Sequence, residues 1–67
     1  MAKLLINGRK TTFKKDTSIF ELLKKYNINT NKVAIELNGK ILAKNHFKKR
    51  ILKDNDSVEI VQFIGGG

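Results

Sequence analysis

The stretch VEIVQF at residues 58–63 decides the fold, because it places apolar side chains at both odd and even positions of a six-residue run. In a strand, successive side chains point to opposite faces of the sheet, so such a run has apolar groups on both faces. This pattern is typical of a strand flanked on both sides. Residues 3–6, KLLI, share it. We therefore expect the first and last strands to lie at the centre of one sheet.

The residues before this strand indicate a turn and an irregular connection. Residues 54–57, DNDS, have turn chemistry, and Asn55 is the residue that best tolerates a left-handed conformation after glycine. Residues 43–53 show no clean period. We expect irregular structure with one helical turn there, pinned to the edge of the core by three apolar side chains: Phe47, Ile51 and Leu52.

Two Asn-Gly pairs predict two β-hairpins, because a type I′ turn needs positive φ at both central residues. Asn7-Gly8 separates residues 3–6 from residues 9–13. The second pair, at residues 38 and 39, separates the alternating run at 33–37 from a short strand at 40–42. The chain thus has one hairpin at its start and another in its middle.

A helix is predicted between the hairpins. Ser18 and Glu21 match a capping box, in which the serine side chain and the glutamate side chain each bind the other residue's amide. The helix begins at Ile19, and its apolar stripe, spaced i, i+3, i+4 and i+7, is Ile19, Leu22, Leu23 and Tyr26. Phe20 lies off this stripe, so we expect it to be partly exposed.

The order of elements predicts an α+β fold in which one helix covers one face of a mixed sheet. Period two places four apolar side chains beneath the helix: Leu4, Ile6, Val58 and Ile60. Leu5, Val61 and Phe63 then point the other way. We expect these three to form a contiguous exposed apolar patch on which a partner docks.

Composition excludes several functional classes. The chain has no cysteine, which removes disulfides, thiol nucleophiles and zinc-cysteine sites. Its net charge is +8, but the cations are spread over every element and are mostly lysine. This distribution favours a solvated basic surface that steers the chain towards an acidic protein, and makes nucleic acid an unlikely partner. No apolar run is long enough to span a membrane, so we expect a cytoplasmic protein.

Nothing in the sequence indicates catalysis or a bound cofactor. His46 is the only histidine, so we expect no metal site and place it at the surface. Glu21, Glu36 and Glu59 lie on different elements and form no evident acid and base pair. The chain is better interpreted as the substrate of enzymes than as an enzyme.

The last three residues, Gly65, Gly66 and Gly67, offer a terminal carboxylate on a thin tether. Glycines have no packing role at such a place, because they lose more conformational freedom on folding than other residues. We expect a folded domain over residues 1–64 and a flexible glycine tail over 65–67. Extended, three residues reach roughly 10 Å, enough to enter a narrow active site.

Taken together, these segments resemble the ubiquitin-like β-grasp fold and, within it, the ThiS family of sulfur carriers. The segments that carry the resemblance are ING at 6–8, SIFELL at 18–23, VAIELNG at 33–39 and DNDSVEIVQFIGGG at 54–67. Two departures are Ala43-Lys44, where the family often has Pro-Arg, and Asn55, where it often has glycine.

The resemblance implies a mechanism and a set of partners. An E1-like adenylating enzyme would use ATP and Mg²⁺ to activate the carboxylate of Gly67, and a cysteine desulfurase relay would supply the sulfur of a thiocarboxylate. Thiazole synthase would accept that sulfur. Gly65 and Gly66 would lie in the enzyme's channel, and four apolar residues would dock the body: Leu5, Val61, Phe63 and Ile64.

Three other functions remain open at this point. A carrier for molybdopterin synthase or for tRNA thiolation would share the fold and the tail. A ubiquitin-like protein modifier would be adenylated in the same way but would be attached to lysines. A small basic nucleic-acid-binding domain is the alternative from a different functional class.

Overall fold

In the computed structural model, which describes residues 1–63, five strands form one sheet with a helix on one face. The strands and helix, in chain order, are β1 (Ala2–Ile6), β2 (Arg9–Phe13), α1 (Ile19–Lys25), β3 (Val33–Leu37), β4 (Lys40–Leu42) and β5 (Ser57–Gln62). Short 3₁₀ turns occupy Thr30–Lys32 and Lys44–His46. The strand order is β2-β1-β5-β3-β4, so the last strand is the central one. The predicted α+β class is confirmed.

The centre of the sheet is a parallel pair. β1 and β5 run side by side with Leu5 opposite Ser57 and Ile6 opposite Val58, whereas every other neighbouring pair is antiparallel. Parallel strands need a long crossover connection. Here that connection contains α1 and the whole second hairpin, so closure of the central pair joins the two ends of the domain.

The two Asn-Gly turns have the predicted geometry. The φ angles are 49° and 81° at Asn7 and Gly8, and 51° and 85° at Asn38 and Gly39. Both asparagines also hold β5 in place, because the Ile60 amide donates to Asn7 Oδ1 at 2.7 Å and the Ser57 amide donates to Asn38 Oδ1 at 2.8 Å. Each turn therefore closes its own hairpin and fixes the central strand.

The start of α1 has every free amide satisfied. The Glu21 amide donates to Ser18 Oγ at 3.1 Å and the Ser18 amide to Glu21 Oε1 at 3.0 Å, which confirms the capping box. The Ile19 and Phe20 amides donate to the carbonyl oxygens of Arg50 and Phe47 at 2.9 and 3.0 Å. The irregular segment between β4 and β5 thus caps the helix, because these amides have no partner within the helix itself.

One expectation about the helix is wrong. Tyr26 was predicted to belong to the apolar stripe, but it is 42% exposed. The helix ends at Lys25, and Tyr26 is its C-cap, beyond the last buried helix residue, Leu23. Its ring instead packs edge-on against Phe13, with centroids 6.0 Å apart. Phe20 is half-buried, as predicted.

The core lies between α1 and one face of the sheet. Ile19, Leu22 and Leu23 are fully buried against inward-facing strand residues, and the segment between β4 and β5 adds Phe47 and Leu52. The buried apolar residues are Ala2, Leu4, Ile6, Phe13, Ile19, Leu22, Leu23, Val33, Ile35, Leu37, Phe47, Leu52 and Val58. All the predicted inward-facing positions on β1 and β5 are confirmed, with Ile60 partly buried beside this cluster.

A buried carboxylate, Asp56, ties the last turn to its surroundings. It is 5% exposed, accepts hydrogen bonds from Asn38 Nδ2 at 3.0 Å and the Lys53 amide at 2.8 Å, and forms a 3.0 Å ion pair with Arg50. Burial by itself raises the pKa of this carboxyl, but the hydrogen bonds and the guanidinium outweigh burial and hold the pKa below its ordinary value. Sequence reasoning treated Asp56 only as a turn residue.

This network makes stability depend on acid. Because the pKa of Asp56 is lower in the folded than in the unfolded chain, the carboxylate stabilises the fold above about pH 4 and this contribution is lost as the pH falls through the folded-state value. We expect Asp56→Asn to lower the unfolding free energy at pH 7 by about 1–3 kcal/mol and to flatten its decline towards pH 3. Urea melts across this pH range measure both effects. Asp16→Asn, an equal charge change at an exposed turn, should leave the profile intact.

Candidate functional site

The face of the sheet opposite α1 is uncovered by the described residues. Strand alternation and the observed registers assign eleven positions to it. They are Lys3, Leu5, Lys10, Thr12, Ala34, Glu36, Ile41, Ser57, Glu59, Val61 and Phe63. All are exposed or half-exposed, which confirms the division of faces predicted for β1 and β5. This open face is the one large surface that the helix leaves available for a partner.

Apolar groups concentrate at the end of β5. Val61 is 56% exposed and Phe63 is 62% exposed, both on the open face. Ala34 lies directly opposite Val61 on β3, and the Phe63 amide donates to the carbonyl oxygen of Lys32 at 2.9 Å, which continues the ladder past the last strand residue. We call Ala34, Val61 and Phe63 the tail-proximal patch, because Phe63 is the last described residue.

Leu5 does not join this patch. It is 37% exposed, as expected for the open face, but it lies opposite Ser57, four residues before Val61 on β5. Four residues of strand span about 13 Å. The predicted contiguity is therefore wrong for Leu5, because it assumed a register that only the structure supplies. Leu5 instead lines a groove between β1 and β2 with Lys3 and Lys10.

Three further side chains of the open face were missed. Ile41, on the edge strand β4, is 74% exposed and lies opposite Glu36. Glu36 in turn lies directly opposite Glu59. The sequence interpretation kept the two glutamates apart because they are on different elements, whereas the sheet brings them together. The available signal was period two, which places both on the open face of their strands.

Three lysines on the helix side place their ammonium groups over aromatic rings. Lys24 and Lys48 place their ammonium groups 5.6 and 4.8 Å from the centroid of Phe20, and Lys25 lies 5.6 Å from that of Phe13. All three lysines are exposed, so these contacts leave the charges at the surface. The predicted attraction of the basic surface to an acidic protein stays a prediction.

The described residues show no arrangement typical of catalysis at a metal. Within residues 1–63, no three histidine, aspartate or glutamate side chains converge as metal ligands. His46 is exposed in the second 3₁₀ turn. In the same part of the chain, none of the helices has the length and apolar character needed to cross a membrane. What the surface offers is a contact area for another protein.

The predicted reacting end follows this area directly. Ile64, Gly65, Gly66 and Gly67 lie outside the described residues. They stay predictions, as does the division of the chain into a domain and a tail. Phe63, exposed on the open face, is the residue that precedes them in the chain.

Comparison with known proteins connects this geometry to a family. The family model described as the ThiS family matches residues 4–67. A sulfur carrier protein ThiS from Bacillus subtilis is 40% identical over 65 residues, which are 96% of this chain and 98% of that protein. The crystal structure of a thiamine biosynthesis protein, ThiS, from Geobacter metallireducens superposes with a TM-score of 0.81 at 34% identity, and covers 97% of this chain and 99% of that one.

A second kind of relative is much longer than this chain. A thiazole synthase from Paramagnetospirillum magneticum is 38% identical over 65 residues, which are 97% of this chain but 20% of that protein. This chain therefore spans about a fifth of that relative's length. The fold in common with the Geobacter protein is the ubiquitin-like β-grasp, as the sequence predicted.

Proposed function

The chain belongs to the ThiS family, and from this membership we propose that it is a sulfur carrier protein of thiamine biosynthesis whose Gly67 carboxylate carries the sulfur. The observation that supports the proposal is the extent of the match. The family model runs through residue 67, and the Bacillus carrier aligns over nearly all of both chains. The relatives named for a function are sulfur carriers or thiazole synthases, which favours this pathway over molybdopterin synthesis and tRNA thiolation.

The chemistry needs a partner that activates a poor electrophile. The Gly67 carboxylate attacks the α-phosphate of ATP, pyrophosphate leaves, and the acyl adenylate that forms has AMP as a good leaving group. A persulfide from the sulfur relay then displaces AMP to give an acyl disulfide. A thiol reduces that disulfide, which forms a new disulfide with the relay sulfur and leaves one sulfur on the acyl carbon as the thiocarboxylate. ATP and Mg²⁺ belong to the adenylating enzyme in this scheme. The carrier has no cysteine, which supports the acyl carbon as its point of attachment for sulfur.

Thiazole synthase is the proposed acceptor. The support is the Paramagnetospirillum relative, in which a segment similar to this whole chain is part of a protein named thiazole synthase. Covalent linkage of two modules raises their effective concentration, so it is favoured where the two act on one another. A cysteine desulfurase relay is the proposed source of the sulfur, and the cytoplasm is the proposed compartment.

The carrier itself contributes position rather than catalysis. The tail-proximal patch and Ile64 would dock the body on the enzyme, while Gly65 and Gly66 would pass through a channel too narrow for side chains. Leu5, at some distance along β1, would make a separate contact. Binding energy from the body thus holds the reacting carboxylate at the nucleotide, which is how remote contacts accelerate a reaction.

The terminal carboxylate is tested by changing its position. Deleting Gly67 removes the reacting carbon, and adding one residue after Gly67 displaces the terminal carboxylate by ~3.5 Å. We expect either change to abolish ATP–pyrophosphate exchange by the adenylating enzyme and to leave the melting temperature unchanged. Undiminished exchange by both variants would disprove the role of Gly67.

The channel is tested by a single methyl group. Gly66→Ala adds a Cβ at the place where the proposal requires none, so the adenylation rate should fall at least about tenfold, equivalent to ~1.4 kcal/mol of transition-state binding. The urea midpoint should not move. Gly39→Ala is the contrasting variant: its added Cβ meets open space, but φ there is 85°, so stability should fall while the adenylation of the folded protein persists.

Docking by the tail-proximal patch is tested by truncating its aromatic residue. Phe63→Ala should weaken binding to the adenylating enzyme by about 1–3 kcal/mol, because it removes apolar area at an interface. Stability should change much less, since the side chain is 62% exposed in the free chain.

Tyr26→Ala is the matched control, because Tyr26 is an exposed aromatic residue on the helix side. Titration calorimetry and urea melts on the same samples separate the effects. Normal binding by Phe63→Ala, or an equal loss of binding by Tyr26→Ala, would show that the patch does not dock the enzyme.

A further inference from the structure

Two carboxylates face each other in the middle of the open face. Glu36 on β3 and Glu59 on β5 are directly opposite in the antiparallel register, and both are exposed. Residues in such a pair have Cβ atoms about 4.5–5.5 Å apart, and like charges at this distance destabilise the sheet. This placement is notable because the chain has 14 basic residues and 6 acidic ones. A glutamate paired at random with another charged residue of this chain would more often face a basic residue than a second acid.

Neither glutamate has a partner within the fold. Over residues 1–63, the side chains of Glu36 and Glu59 enter no ion pair and no hydrogen bond, and the one ion pair found is Arg50–Asp56. Three other acids have structural tasks. Glu21 caps α1, Asp54 accepts a hydrogen bond from the Lys3 amide at 2.7 Å, and Asp56 forms the buried network. The fold therefore uses those carboxylates and gains nothing from the opposed pair.

Apolar side chains border the pair. Ile41, on β4, lies directly opposite Glu36. Val61 is two residues after Glu59 on β5 and on the same face. A protein that covers Val61 and Phe63 also covers the glutamates and removes their water. Two desolvated carboxylates are costly unless a cation comes with that protein. A guanidinium satisfies both best, because its planar fork presents several donors to adjacent carboxylates.

The rest of the open face has the opposite charge. Lys3 on β1 and Lys10 on β2 lie beside Leu5 on the same open face. They are towards the edge of the sheet opposite to β3 and β4. A cation on the partner is therefore attracted by the glutamates and repelled by Lys3 and Lys10 at the other edge of the sheet. The charges would fix the orientation of docking, which apolar contacts alone do not.

We propose that Glu36 and Glu59 together accept one arginine side chain from the enzyme that adenylates the C-terminus. The inference rests on the proposed function and adds the chemistry of the contact. The adenylating enzyme is the expected occupant because Glu59 lies on the strand that leads through Val61 to Phe63 and the proposed reacting end, and Glu36 lies directly opposite Glu59. An enzyme that holds that end must cover this strand. Binding of the arginine relieves the repulsion between the two carboxylates. The pair therefore strengthens binding to the enzyme but lowers the stability of the free chain.

Because the pair affects binding and stability in opposite directions, measuring both quantities tests the proposal. Glu36→Gln and Glu59→Gln, singly and together, keep shape and remove charge. Each should raise the Kd for the purified adenylating enzyme about tenfold at low salt. The effect should shrink at high salt, and the urea midpoint should stay equal or rise. Asp16→Asn makes the same change of net charge at an exposed turn before α1, and its Kd should change less than about twofold.

The outcomes that overturn the proposal are distinct. Unchanged binding by the double variant, while wild type supports ATP–pyrophosphate exchange, overturns the arginine contact and leaves the carrier function in place. A lower urea midpoint that parallels the weaker binding would assign the pair a structural role. Weaker binding of the variants to thiazole synthase alone would show that the pair contacts thiazole synthase and not the adenylating enzyme. Absence of exchange with wild type overturns the carrier function and this inference with it.

Discussion

The parallel pairing of β1 with β5 is the constraint on which the rest of the structure depends. It needs a crossover, and the crossover supplies the helix and the second hairpin that complete the sheet. β5 is fixed on both sides, by β1 and β3, and by the side chains of Asn7 and Asn38 from the two hairpin turns. Both hairpins therefore hold the central strand.

One helix on one face of the sheet determines what kind of site is possible. A chain of this size buries too little surface to enclose a reaction chamber as well as a core. All the fully buried side chains lie between α1 and the sheet. The other face is left to solvent, and its exposed Val61 and Phe63 lie on the strand that ends the described chain. In the proposed function, specificity would come from contact with this open face, and the partner enzyme would supply the chemistry.

Local chemistry predicted most of the fold. The Asn-Gly turns, the capping box and the left-handed Asn55 each depend on a few neighbouring residues. The faces of β1 and β5 followed from period two alone. The failures involve distance along a strand or the end of a helix: Leu5 is far from Val61, and Tyr26 lies beyond the last turn of α1. Register between distant strands is not a local property, so neither the opposed glutamates nor the Asp56 network could be placed.

In the proposed function the carrier serves both an adenylating enzyme and thiazole synthase, so it must also leave each of them. A large apolar interface would hold it too long, because most differences in affinity appear in the dissociation rate. In the proposed docking, Val61 and Phe63 would give modest binding, and the opposed glutamates would add specificity without a matching gain in the chain's own stability. The sheet therefore tolerates a locally unfavourable pair at its centre, where a structure selected only for stability would place opposite charges.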